Sequence, residues 1–402
     1  MSLDLGRTSV QIDGMALELQ ARQSDRQQRL KAALRVIDDF SLDSYNVRRE
    51  QGAATDAWAA PRVLEEPRAH HPSPPTPSDF CVAATDGSHI DVDRHLPVRC
   101  FLINVGGSVL TYGSRPDARM FSRPRLYARD DELVLRDTTT YREQAIQGVV
   151  LGAKRTVEEI RALVEVVRDL PGSTPTICLL DGSLVMLGLV GHGFYDFVPR
   201  ELIEEGFVLA LEELRMMAKD RPLAVASFIS LPGSAEVVRA LRLIVCPYGL
   251  SDAESRCGLG GGREPCDGCI GGVLDRDLFA QVLTVGDRSA MFGVSSPIID
   301  NHYHGYGVDF FYVNGGEEIG RVEVPSWVAA DEGLVGLVHS LVVDQCRRGR
   351  GYPVALMEAH EQATIGGADR RHFVELVDQA LNDQRVPIYT SEKARSKRLR
   401  WL

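Results

Sequence analysis

The sequence has no run of about eighteen apolar residues, so nothing in it is built to span a membrane. Its opening residues, MSLDLGRTSVQIDG, lack the basic start and apolar core of a secretion signal. The chain is therefore expected in the cytoplasm, where its eight cysteines read as thiols or metal ligands rather than disulfides. Positive net charge is missing too: the formal balance is -11. That excludes a protein that coats nucleic acid over its whole surface, but leaves room for a local basic site. No fixed-period repeat is present either.

What is there is enough chain, 402 residues, for one large or two ordinary domains. Apolar and charged fractions of 44% and 25% are those of a globular protein. The informative stretch is FCVAATDGSHID, Phe80 to Asp91, in which an apolar run of strand length delivers Asp86 at its end, followed by Gly87 and Ser88. A second apolar run, Thr176 to Leu180, ends the same way in Asp181-Gly182-Ser183. A single Asp-Gly-Ser reads as an ordinary turn. Two of them, each closing a buried run with a glycine that admits a close neighbour, read as parts of a divalent-metal site.

Around these runs the chain divides into three parts. Residues 1–50 read as a helical arm, with helical periodicity over Met15 to Phe40. Residues 51–79 form a Pro/Ala/His-rich linker, expected to be mobile, with His70 and His71 as solvated loop histidines. The main domain runs over 80–398. After Asp86 it reads as strand (Val98 to Val105), turn (Gly106-Gly107) and strand (Ser108 to Tyr112), an antiparallel meander. A helix over Thr138 to Asp169 carries Arg155, Glu158 and Glu159, and precedes the strand ending at Asp181. A helix over Glu201 to Asp220, a strand over Leu223 to Ser230 and a helix opening beyond Ser234 follow. That last helix start suits either a bound anion or a plain serine cap.

A cysteine-rich insertion at about 246–272 places Cys246, Cys257, Cys266 and Cys269 within one segment. Cys266 and Cys269 have the C-x2-C spacing of half a zinc or iron–sulfur site, and free thiols in a loop are the alternative. Beyond it come a strand at Asp309 to Asn314, a half-buried strand at Arg321 to Pro325, and helices over Leu334 to Cys346, from Pro353 past His360, and over Arg370 to Asp383. The basic tail SEKARSKRLRWL closes the chain.

Strands alternating with helices, a meander at the start and acids at strand ends suggest an α/β fold. It is expected to be a mixed sheet of the ribonuclease H type flanked by helices. In such a sheet, carboxylates on adjacent strands hold one or two divalent ions that activate a water against a phosphodiester. Hard oxygen ligands select magnesium or manganese. Either Glu158 or Glu159, on the intervening helix, would complete the cluster.

Several separated motifs together resemble the NurA nucleases, which process DNA ends alongside a HerA-type hexameric ATPase. They are ATDGS (84–88), LLDGSL (179–184), SFISLPGSAEVVRALR (227–242), GDRSAMF (286–292), RVEVPSW (321–327), GYPVALMEAHEQA (351–363) and SEKARSKR (391–398). The resemblance implies that Asp86, Glu159 (or Glu158), Asp181 and His360 are the catalytic and metal-binding residues. It implies that Arg321 and Glu323 buttress the site, and that Lys393, Lys397 and Arg398 contact the DNA backbone. It further implies manganese- or magnesium-dependent single-strand endonuclease and 5'-3' exonuclease activity in end resection and double-strand break repair, a homodimer, and docking onto the ATPase. Two other readings stand beside it: a DNA-binding accessory subunit without catalysis, and a phosphatase using Asp86 or Asp181 as nucleophile. Asp86 lacks the Asp-x-Asp arrangement the latter calls for.

Overall fold

The computed structural model describes residues 4–52, 60–92, 98–189, 193–246 and 269–386. Cys257, Cys266, Lys393, Lys397 and Arg398 lie outside the described residues. The chain divides into two units. One comprises Met1–Pro72, Ser230–Ser296 and Asp309–Arg321; the other comprises Ser73–Ile229, Pro297–Val308 and Val322–Leu402.

In the second unit the strands β1 (Phe80–Ile90), β2 (Phe101–Tyr112) and β3 (Asp117–Tyr127) are followed by helix α1 (Val149–Arg168). After them come β4 (Thr176–Asp181), α2 (Leu209–Ala218), β5 (Leu223–Ile229), α3 (Glu332–Arg348), α4 (Val354–Ala363) and α5 (Gly367–Asp383). The strand order is β3-β2-β1-β4-β5. The first three strands are antiparallel neighbours, while β4 runs parallel to both β1 and β5. Strands β4 and β5 are almost wholly buried and apolar, as parallel strands covered on both faces must be. Successive side chains of a strand point to opposite faces. Gly87 abuts Glu159 of α1, and Gly106, paired with Asp86, abuts Ala359 and Ala363 of α4. Helices α1 and α4 therefore cover opposite faces. Leu151, Ile160 and Leu163 of α1 are fully buried, each contributing about 1.5–3 kcal/mol by leaving water.

Three expectations change here. Gly106 and Gly107 make no turn, because β2 runs straight through them, and the third strand is Asp117–Tyr127. Both glycines are there for close approach: a Cβ on Gly106 would strike the backbone of α4, and one on Gly107 would strike the Phe121 ring. Asp86 does not end its strand either. Pairing with β2 carries β1 on to Ile90, whereas its pairing with β4 stops at Thr85↔Leu180. The Asp-Gly-Ser at Asp181 does end a strand, and Gly182, at φ +85°, takes the chain out of it. Finally, α1 begins at Val149, preceded by a hairpin of Val134–Arg136 with Glu143–Ala145.

In the first unit, Leu5–Asp38 is one helix capped by the Asp4 side chain, and Leu42–Gly52 is a second. Of the first, only Ala33 and Ile37 are buried. The linker is not structureless. Arg62–Val63 pairs with Phe292–Gly293, and His70–His71 pairs with Arg288–Ser289. Ion pairs hold these short strands: Arg62 with Asp309 at 2.9 Å, and Arg288 and His71 with Glu65. The helix opening near Ser234, Glu236–Val245, already has its anion, since Asp275 accepts from the Val237 and Val238 N–H groups. Ser234 instead meets the Tyr312 hydroxyl. The strand Ile319–Pro325 is buried along its whole length rather than half-buried. Cys246 is buried and Cys269 exposed, both as free thiols, and among the described residues no metal cluster includes either one.

Candidate active site

All four residues Asp86, Glu159, Asp181 and His360 lie in the second unit. Because β1 and β4 are parallel and paired up to Thr85↔Leu180, Asp86 and Asp181 stand side by side on adjacent strands, about 5 Å apart in strand spacing. Asp86 faces α4, where His360 Nδ1 lies 2.7 Å from its Oδ2, and its Oδ1 accepts from the Gly87 N–H. Asp181 Oδ1 accepts from the Tyr352 hydroxyl at 3.0 Å. Behind it, Glu323 Oε2 accepts from both Ser183 Oγ and the Leu184 N–H at 2.8 Å, so a buried carboxylate pins the turn that presents Asp181. Arg321 pairs instead with Glu236 in the first unit, at 2.7 Å.

The two helix glutamates separate. Glu158 pairs with Lys154 at 3.1 Å, whereas Glu159 is 5% exposed and reaches the site past Gly87. Arg155 Nε lies 2.9 Å from Glu159 Oε1, but off the line of a hydrogen bond, and neither atom has a hydrogen-bond partner. Burial pushes Glu159 up to about 7, Arg155 opposes the rise, and the charges of Asp86 and Asp181 add to it. Asp181 is raised for the same leading reason, burial; Tyr352 and His360 pull it back, while Asp86 reinforces the rise. Three carboxylates thus load one spot with negative charge that a cation would relieve.

The donor set is that of a hard divalent ion, and Glu159 Oε1 inside it faces the Arg155 guanidinium without a well-aligned hydrogen bond. As they stand, however, the carboxylates are turned onto His360, Arg155 and Tyr352. Among the described residues no group of three acids, histidines or cysteines converges closely enough to hold an ion.

Gly87 has the close neighbour expected of it, Glu159, whereas Tyr352, hydrogen-bonded to Asp181, is a residue that sequence reasoning did not single out. Tyr352 follows the basic turn Arg347–Gly351 and precedes α4, eight positions before His360. A turn with positive φ at both Arg350 (+55°) and Gly351 (+108°) precedes it. The tail cations Lys393, Lys397 and Arg398 fall outside the described residues.

The family model of the NurA domain matches residues 81–365, which contain every residue of this cluster. Among solved structures, a crystal structure of NurA bound to dAMP and manganese is 13% identical. The likeness covers 85% of this chain and 95% of that one, with a TM-score of 0.35. A crystal structure of NurA with manganese is 15% identical at the same coverage, with a TM-score of 0.32. No curated protein matches the chain.

Proposed function

Because the chain belongs to the NurA family of nucleases, we propose that it hydrolyses DNA phosphodiesters with manganese or magnesium held by Asp86, Asp181 and Glu159. The observation that carries this reading is the coupling of three carboxylates, with Glu159 buried against Arg155 and raised to about 7 by its surroundings. The strand order β3-β2-β1-β4-β5, with an acid on each of the two central strands and one on the connecting helix, supports a ribonuclease H-like fold. Bound there, the ion would generate the attacking hydroxide and neutralise charge on the leaving oxygen. The chain's own groups do the rest. Tyr352 orients Asp181, Glu323 fixes the turn behind it, and Arg155 balances Glu159 before the ion arrives. His360 is held by Asp86 yet is 63% exposed, so its ring is the group at hand to donate to a scissile phosphate.

The proposal extends to single-strand endonuclease and 5'-3' exonuclease activity in end resection, a homodimer, and work alongside a HerA-type hexameric ATPase in the cytoplasm. End-labelled single-stranded DNA, digested with manganese, magnesium or chelator, tests it. Cleavage is expected with metal, none with chelator, and none with Asp181→Ala. Equal cleavage by Asp181→Ala would refute the assignment. DNA bound but never cut by the wild type would favour the accessory-subunit reading.

A further inference from the structure

Strand β3 lies at the rim of the second unit's sheet, and ten of its eleven residues are exposed or half-exposed. An edge this long is normally blunted. Here the blunting groups are Pro124 and a run of arginines. Between Arg115 and Arg129 the chain carries Arg115, Arg119, Arg123, Arg125 and Arg129 against a single acid, Asp117, in a protein whose balance is -11.

Alternation sorts these residues. Arg119, Phe121, Arg123, Arg125 and Tyr127 share one face of the strand. Arg123 rests 4.4 Å over the Phe121 ring, and Arg125 4.6 Å over that of Tyr127. Stacking of this kind holds a guanidinium in place without consuming its N–H donors. Its present acidic partners are Asp117 for Arg119 (3.8 Å), Glu165 for Arg123 (2.8 Å) and Glu132 for Arg125 (3.9 Å). The arginines of these pairs are solvent-exposed, so the pairs are weak and readily exchanged.

The row is also registered on the acidic centre. Arg123 pairs with Val105, and Val105 with Gly87, the residue that makes room for Glu159. Two strand spacings, about 10 Å, separate Arg123 from Gly87.

We propose that Arg119, Arg123 and Arg125 form a track for the phosphate backbone of single-stranded DNA along the edge of the sheet, on the same face as Glu159. The track runs for about 20 Å, enough for several nucleotides. A second copy of this chain is the poorer occupant, because antiparallel pairing of two such edges sets arginine rows against each other and meets Pro124, which has no N–H to give.

The proposal rests on the nuclease reading for its substrate, and its test is read in chelator, where nothing is cut. Fluorescent oligothymidylate binding is followed by anisotropy across a salt series, for the wild type and for R119Q/R123Q/R125Q. Binding should weaken roughly ten- to a hundredfold, and the slope of log affinity against log salt should flatten by about two. Thermal melting and the oligomeric state should not change. If the triple variant does not fold, Arg123→Gln alone should flatten the slope by about 0.7. Unchanged affinity and slope would overturn the track, as would a changed oligomeric state with DNA binding intact, or a loss confined to duplex DNA. Metal-dependent cutting by the wild type, scored separately, reports on the nuclease reading whichever way the track falls.

Discussion

Glu159 shows how one side chain records the state of the whole site. Its carboxyl is raised on folding from 4.5 to about 7, so protonation favours the folded, metal-free chain. That contribution is fully present below about pH 4.5 and is lost as pH rises through about 7, amounting to about 3 kcal/mol. Urea unfolding in chelator at about pH 5 and about pH 8 should show the decline in the wild type, and Glu159→Gln should flatten it. Gly87→Ala tests the approach itself. The added methyl lands on Glu159 Oε1, so cleavage should fall sharply while stability drops only by about 1–3 kcal/mol. In Tyr352→Phe, Asp181 loses a donor that favours its charged form, and its carboxyl should rise further. The acid limb of a pH–rate profile should then move to higher pH, and an unmoved limb would remove Tyr352 from the site. Asp86 and Asp181 were legible as candidates because two apolar runs each lead into Asp-Gly-Ser, although only Asp181 ends its strand. Tyr352 was not, since its contact with Asp181 follows a turn at Arg350-Gly351 that looks like any other loop.

Among the elements, β2 taught the most. Two adjacent glycines between apolar runs have the composition of a hairpin turn, and nothing local says otherwise. Only the packed neighbours do: helix α4 presses its backbone onto Gly106 from one side, and Phe121 covers Gly107 from the other. Hydrogen bonds from Asn104, Ser88 and Ser108 to carbonyls of α4 complete this close packing and set His360 over Asp86. Gly106→Ala would push a methyl into helix backbone that has no rotamer to yield. A loss of about 3 kcal/mol or more is expected in chemical unfolding, together with loss of activity, because α4 carries His360. The Asp-Gly-Ser echo misled in a similar way. Strand β1 continues to Ile90 because β2 pairs with it on one side after β4 has stopped on the other. Tertiary pairing of this kind is invisible to a window of residues.

At the scale of the molecule, a net charge of -11 coexists with a local row of arginines on the exposed strand β3. The sheet's core strands and the alternation of strands and helices were legible from apolar runs of strand length. The pairing of His70–His71 and Arg62–Val63 was not, since two-residue strands in a proline-rich stretch are defined by partners more than two hundred residues away. The reading of the whole then turns on one claim, that Asp86, Asp181 and Glu159 rotate off their present partners to share a divalent ion. Manganese titration followed by electron paramagnetic resonance, in which only free manganese gives the sharp signal, tests that claim without DNA or turnover. The wild type should remove manganese from solution up to a saturating one or two ions per chain, and Asp86→Asn with Asp181→Asn should remove almost none. If the double variant bound manganese as the wild type does, these carboxylates would not be the metal site.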